Sequence, residues 1–196
     1  MPALFFAKRV PKKGEPVFGQ ELAPQKNPLA GLDKPPHIRA LPDNGIHTHE
    51  RERRMAYWLF KSEPNTWSWD DQVKQGDAGE EWDGVRNYQA RNNMRAMKVG
   101  ERGFFYHSVN EKQVVGIIEV VAEAHPDSKT DDPRWECVDI KAVAPFVTPV
   151  TLDDVKSHPQ LETMVLATNS RLSVQPVSDE EWAIICAMGG VDPDKI

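Results

Sequence analysis

Before residue 55 the apolar side chains follow neither helical nor alternating spacing; from Ala56 onward they do. Tyr57-Trp58-Leu59-Phe60 has strong strand propensity, and Lys61-Ser62-Glu63-Pro64 ends it, since proline cannot continue a central ladder. Ser68 with Asp71 three residues later reads as a helix start, so Trp69 to Lys74 is predicted to be a short helix stopped by Gly76. A second helical pattern begins after Gly84 and runs to about Met97, with Met94 and Met97 inward. Arg102 to Ser108 reads as a strand. Val114 to Ala124 is a β-branched apolar run, the mark of a strand covered on both faces or curving through a barrel. After a polar loop, His125 to Pro133, Trp135 to Val143 alternates apolar and polar, as a strand with one wet face does. Pro145 and Pro149 are expected to break it. Thr151 with Asp154 caps a helix over Leu152 to Ser157, and Leu161 to Leu166 adds an apolar turn. Leu172-Ser173-Val174 reads as a short strand. Ser178 with Glu181 opens the last helix, which Gly189-Gly190 stops.

These elements make an α+β domain over residues 55–192: about five strands with short helices, long connections and few hairpin signals. A small, strongly bent sheet or barrel fits that count better than a doubly wound sheet. Residues 1–54 carry 8 of the 16 prolines and too few apolar residues to offset the entropy of ordering, so a disordered extension is expected there. Two readings of it stay open. It is a basic arm that touches nucleic acid or a partner, or it is not native and translation starts at Met55.

The 196 residues carry a net charge of -6, unevenly divided. Residues 1–54 hold 10 Lys/Arg against 6 Asp/Glu, and residues 55–196 hold 14 against 24. An acidic domain is poorly suited to gripping long duplexes through phosphates, so any nucleic-acid contact must be small and local. The two cysteines, Cys137 and Cys186, match no metal-ligand spacing, and the histidines are not paired at ligand distance. With no signal peptide or membrane-length apolar run, a reducing cytoplasm and no membrane partner are expected. No glycine-rich phosphate loop is present.

The stretch Trp82 to Asn92 concentrates two arginines, two asparagines, a glutamine and two aromatics around a glycine turn feeding a helix. Polar motifs Lys61-Ser62-Glu63-Pro64, Tyr106-His107-Ser108 and Ser170-Arg171-Leu172-Ser173 stand at strand ends, where binding sites of small barrels form. A flat polar ligand such as a nucleobase needs apolar slabs for its face and donors and acceptors for its edge. Trp58, Trp82 and Tyr106 can supply faces. Ser62, Asn87, Asn92, His107 and Ser173 can read an edge, and Lys61, Arg86, Arg91 and Arg171 can hold a phosphate. Each has a plainer reading: Trp58 and Trp67 as core, Asn87 as a helix cap, Arg86 and Arg91 as surface charges, His107 as a satisfied core histidine, Glu63 as a brace for Lys61. A catalytic alternative pairs His107 with Ser108 and uses Glu63 or Asp83 as orienter. Adjacent strand residues point to opposite faces, which weighs against it.

These residues resemble the EVE domain family. The matching pieces are Tyr57 to Pro64, Trp82 to Asn92, Phe105-Tyr106-His107-Ser108, Val115-Gly116-Ile117, Pro149 to Leu152, and Leu172-Ser173-Val174 before the Trp182 helix. They span about Ala56 to Gly190. The resemblance implies a PUA-like fold, related to the YTH domains that read methylated adenosine in RNA. It implies a non-enzymatic reader of a modified base in DNA or RNA, taken as a single flipped or unpaired nucleotide, with no cofactor, metal or catalytic residue. The implied ligand-binding set is Trp58, Lys61, Ser62, Trp82, Val85, Arg86, Asn87, Gln89, Arg91, Asn92, Tyr106, His107, Ser108, Arg171, Leu172 and Ser173. Val109 departs from the small or polar residue expected after Ser108. If it faces the pocket, the ligand is more apolar on that side. The alternatives are an enzyme acting on a nucleotide or modified base with His107 as general acid-base, and a protein-interaction module. Oligomeric state and the choice of base are not legible.

Overall fold

The computed structural model describes residues 55–196, so the expectations for the 1–54 extension lie outside the described residues. Six strands form one sheet: β1 (Tyr57–Ser62), β2 (Glu80–Glu81), β3 (Arg102–His107), β4 (Gln113–Pro126), β5 (Glu136–Thr151) and β6 (Val174–Val177). Their order is β2-β5-β4-β3-β1-β6. β1 and β3 are parallel, with Lys61 opposite Tyr106 and Ser62 opposite His107, and the other pairings are antiparallel. Repeated register shifts between β4 and β5 bend the sheet. The α+β class therefore stands, with six strands rather than five.

Alternation along β1 and β3 divides the core. Leu59 and Phe104 pack with Ile117, Phe146, Trp182 and Ile185 on one face; Phe60 and Phe105 pack with Trp82, Met94, Ile118 and Ile140 on the other. Both faces of the central strands are buried, which accounts for the unbroken apolar run in β4. Helix α5 (Asp179–Gly189) closes the first face, with Trp182 stacked 4.3 Å from Tyr57. Helix α2 (Tyr88–Ala96) closes the second by burying Ala90 and Met94, one turn apart. Three capping boxes start α1 (Trp69–Lys74), α3 (Leu152–Ser157) and α5, on Ser68, Thr151 and Ser178. The apolar turn is α4 (Val165–Thr168).

Three expectations need correction. β2 is two glutamates long and carries no periodicity to detect. β5 runs through Pro145 and Pro149 because β2 covers only its Asp139 and Ile140 positions, leaving the rest a free border where a missing N–H costs no ladder bond. The last strand is Val174–Val177, later than Leu172-Ser173-Val174; its Pro176 is accommodated because β6 pairs with β1 alone.

Candidate functional site

A cleft of about 360 Å³ opens where the parallel strands β1 and β3 end. Four segments wall it. Lys61, Ser62 and Glu63 come from the end of β1, with Thr66 and Trp67 from the loop behind it; Glu81, Trp82, Asp83 and Val85 lead into α2. Ser108 and Val109 follow β3, and Ser170, Arg171 and Ser173 precede β6. Backbone bonds join these segments: Lys61 N–H to the Ser173 carbonyl at 2.8 Å, and Ser108 N–H to the Ser62 carbonyl at 2.7 Å. The Ser108 hydroxyl donates to that same Ser62 carbonyl at 3.0 Å.

The indoles of Trp67 and Trp82 give the cleft aromatic surface. Trp82 is held edge-on by Phe60 at 5.3 Å and by Phe105 at 5.7 Å. Trp67 donates its Nε1–H to Gln72 Oε1 at 2.9 Å, and buried Gln72 in turn donates to the Ile140 carbonyl at 2.8 Å. Both rings are thus fixed from behind. Val109 sits at φ 66, a left-handed conformation that a β-branched residue adopts only under strain. It is exposed and lines the cleft, so the rim is apolar on that side.

The cations in the wall are Lys61 and Arg171. Lys61 donates to the Ser170 carbonyl at 3.3 Å and lies 5.7 Å from the Tyr106 ring. Burial pushes its ammonium down to about 8. The wall also carries Glu63, Glu81 and Asp83, the last paired with Lys129 at 2.9 Å.

Of the residues drawn from the sequence, Lys61, Ser62, Trp82, Val85, Ser108, Arg171 and Ser173 line the cleft. The others lie elsewhere. Trp58 is buried and donates to Glu101 Oε2 at 2.8 Å. Tyr106 and Leu172 are core residues. His107 is buried, with Nε2 accepting the Trp69 N–H at 3.0 Å and Nδ1 2.5 Å from Glu111 Oε2. Asn87 caps α2 by accepting from the Ala90 N–H at 3.0 Å. Gln89 and Asn92 are exposed on the helix. Arg86, Arg91, Tyr88 and Trp135 form a separate group. Tyr88 stacks on Trp135 at 5.0 Å, Arg86 lies over Trp135 and Arg91 over Tyr88.

Sequence reasoning missed the residue that fixes this loop. Asp127, 2% exposed, accepts from the Gly84 N–H at 2.9 Å, the Arg86 guanidinium at 2.6 Å and the Lys129 N–H at 2.8 Å. Burial alone would raise its carboxyl, but those bonds outweigh it and hold the group below the ordinary carboxylate range. Gly84 takes φ 74 at the same point, so the turn needs both a glycine and a distant carboxylate. The only local signal was an Asp in a turn-forming loop.

The EVE domain profile matches residues 56–188. The chain belongs to the EVE domain family. Thymocyte nuclear protein 1 from mouse is 39% identical to it over 170 residues, covering 70% of this chain and 75% of the mouse protein. A crystal structure of an Agrobacterium tumefaciens protein is 60% identical, with a TM-score of 0.69, covering 69% of this chain and 94% of that one. Another structure holds human THYN1 in complex with 5-methylcytosine containing DNA. It is 37% identical, with a TM-score of 0.64, covering 70% of this chain and 99% of that one. The EVE domain here thus accounts for nearly all the described residues, and its cleft is built wholly within the matched segment.

Proposed function

We propose that this EVE domain binds a modified nucleobase in the cleft between β1, the loop before α2, the end of β3 and the loop before β6, without chemically altering it. The observation that carries the reading is the pair of braced indoles facing a small volume fringed by serine hydroxyls and two cations. Its volume falls at the low end of small-ligand sites, about 300–1,000 Å³, which suits one base and not a stretch of strand. The relationship to human THYN1, whose structure contains 5-methylcytosine DNA, supports a methylated base as ligand class. Apolar Val85 and Val109 offer a methyl group a favourable surface. A base enters such a cleft as a flipped or unpaired nucleotide, with Lys61 and Arg171 meeting its phosphates. The bent six-stranded sheet supports the PUA-like reading of the fold. Binding without turnover is favoured by the engagement of both His107 ring nitrogens away from the cleft wall.

The test is the affinity of oligonucleotides bearing 5-methylcytosine against the same sequences with cytosine, at fixed salt. Trp67→Ala removes one aromatic surface and is expected to weaken binding of the modified oligonucleotide about 10- to 100-fold, the worth of one base–aromatic stack. Equal affinity for both oligonucleotides across a range of base modifications, or no effect of Trp67→Ala, would sink the reading. A converted base among the recovered products would replace it with the enzyme.

A further inference from the structure

We propose that Glu81, His125 and Cys137 form a binding site for a divalent transition metal, zinc being the best match. The three side chains come from neighbouring strands whose register is fixed. His125 on β4 is the ladder partner of Cys137 on β5, and Glu81 on β2 is the partner of Asp139, two residues beyond Cys137. Alternation therefore sets Cys137 and Asp139 on one face of β5, with His125 and Glu81 on either side. One ligand atom from each of Glu81, His125 and Cys137 falls within 4.8 Å of the others. The Cys137 Sγ lies 3.6 Å from His125 Nδ1 and 3.8 Å from Nε2. A tetrahedral zinc, with Zn–S about 2.3 Å and Zn–N about 2.0–2.1 Å, separates its sulfur and nitrogen ligands by about 3.6 Å.

The surroundings also fit. Asp139 Oδ1 is 2.9 Å from His125 Nε2, the carboxylate partner that orients a metal-binding imidazole and leaves Nδ1 to the metal. The Pro126 carbonyl, 3.2 Å from Nδ1 and 3.9 Å from Sγ, borders the same volume. Thiolate with imidazole and one carboxylate selects zinc over magnesium or calcium, which take all-oxygen shells. Binding releases the thiol proton to solvent, and three protein ligands leave a fourth position for water. Because Glu81 also lines the cleft, the metal would brace one of its walls. The assignment does not depend on what the cleft binds.

Cobalt(II) alone, titrated into the reduced full-length protein, tests it. A thiolate–cobalt bond gives a near-ultraviolet charge-transfer band that carboxylate or imidazole binding elsewhere in the chain does not produce, and zinc(II) should abolish it. The band is expected in the wild type and in Cys186→Ser, whose thiol is buried away from the cluster, and is expected to vanish in Cys137→Ser. His125→Asn and Asp139→Asn are expected to weaken zinc binding at least 10-fold, with apo-protein circular dichroism unchanged. They keep the test open if Cys137→Ser does not fold. No band in the wild type, a band that survives Cys137→Ser, or zinc affinity unaltered in His125→Asn would overturn the assignment.

Discussion

At Asp127 one buried carboxylate satisfies a backbone N–H of the turn before α2, a backbone N–H of its own loop and a guanidinium. Asp127→Asn keeps the shape but leaves Arg86 without its counter-charge. Arg86 is partly exposed, so a stability loss of about 2 kcal/mol is expected from denaturant unfolding, below the figure for a fully buried pair. Since the folded carboxyl is depressed, its contribution is present above the unfolded value of 3.8 and is lost as pH falls through that value to the folded one. The variant should accordingly lose part of the wild type's acid sensitivity below about pH 4.

Lys61 behaves in the opposite sense. Its ammonium is disfavoured by burial, so it costs stability below about 8, and that cost is relieved as pH rises from about 8 toward 10.5. Stability should rise with pH across that window in the wild type and stay flat in Lys61→Met. Oligonucleotide affinity should fall over the same window, because the neutral amine no longer attracts phosphate. Thermal melts and binding titrations in one buffer series check both signs.

Among the elements, α1 is held by a contact that a single methyl group would break. A Cβ placed on Gly116 of β4 would lie 2.5 Å from the Trp69 ring, which also packs edge-on against Phe105 at 5.5 Å. Gly116→Ala should displace Trp69, break its backbone bond to His107 and loosen Trp67 beside it. A loss of about 1–3 kcal/mol in stability and weaker base binding are expected from melts and titrations. What the sequence revealed about elements follows from how local each signal was. The Ser68–Asp71, Thr151–Asp154 and Ser178–Glu181 boxes lie within one turn, and all three helices start where those pairs say. The proline rule failed in β5 because it presumes neighbours on both sides, and neighbours are a tertiary fact. The strand-end polar motifs were legible as places where a cleft forms. The roles of Gln89, Arg91 and Asn92 were not, since they depend on which side of α2 meets the sheet; Ala90 and Met94 do, and turn these three away. The approach of Cys137 to His125 and Glu81 rests on strand register, which residue spacing alone does not encode.

Over the whole molecule, an acidic domain with two cations in its cleft wall should bind nucleic acid with shallow salt dependence. Each duplex phosphate neutralised contributes a slope of about -0.9 to log affinity against log salt, so a slope of about -2 is expected for a chain beginning at Met55. Residues 1–54, with their excess of Lys and Arg, should steepen that slope in the full-length protein if they reach phosphate. Identical slopes would count against a nucleic-acid-binding arm.

The borders of the sheet carry one more consequence. At one side β6 is four residues long and interrupted by Pro176; at the other, β5 beyond its two-residue neighbour carries Pro145 and Pro149. Among the described residues, neither rim offers an incoming strand an unbroken row of donors, so this sheet gives neighbouring copies no template for stacking into fibres.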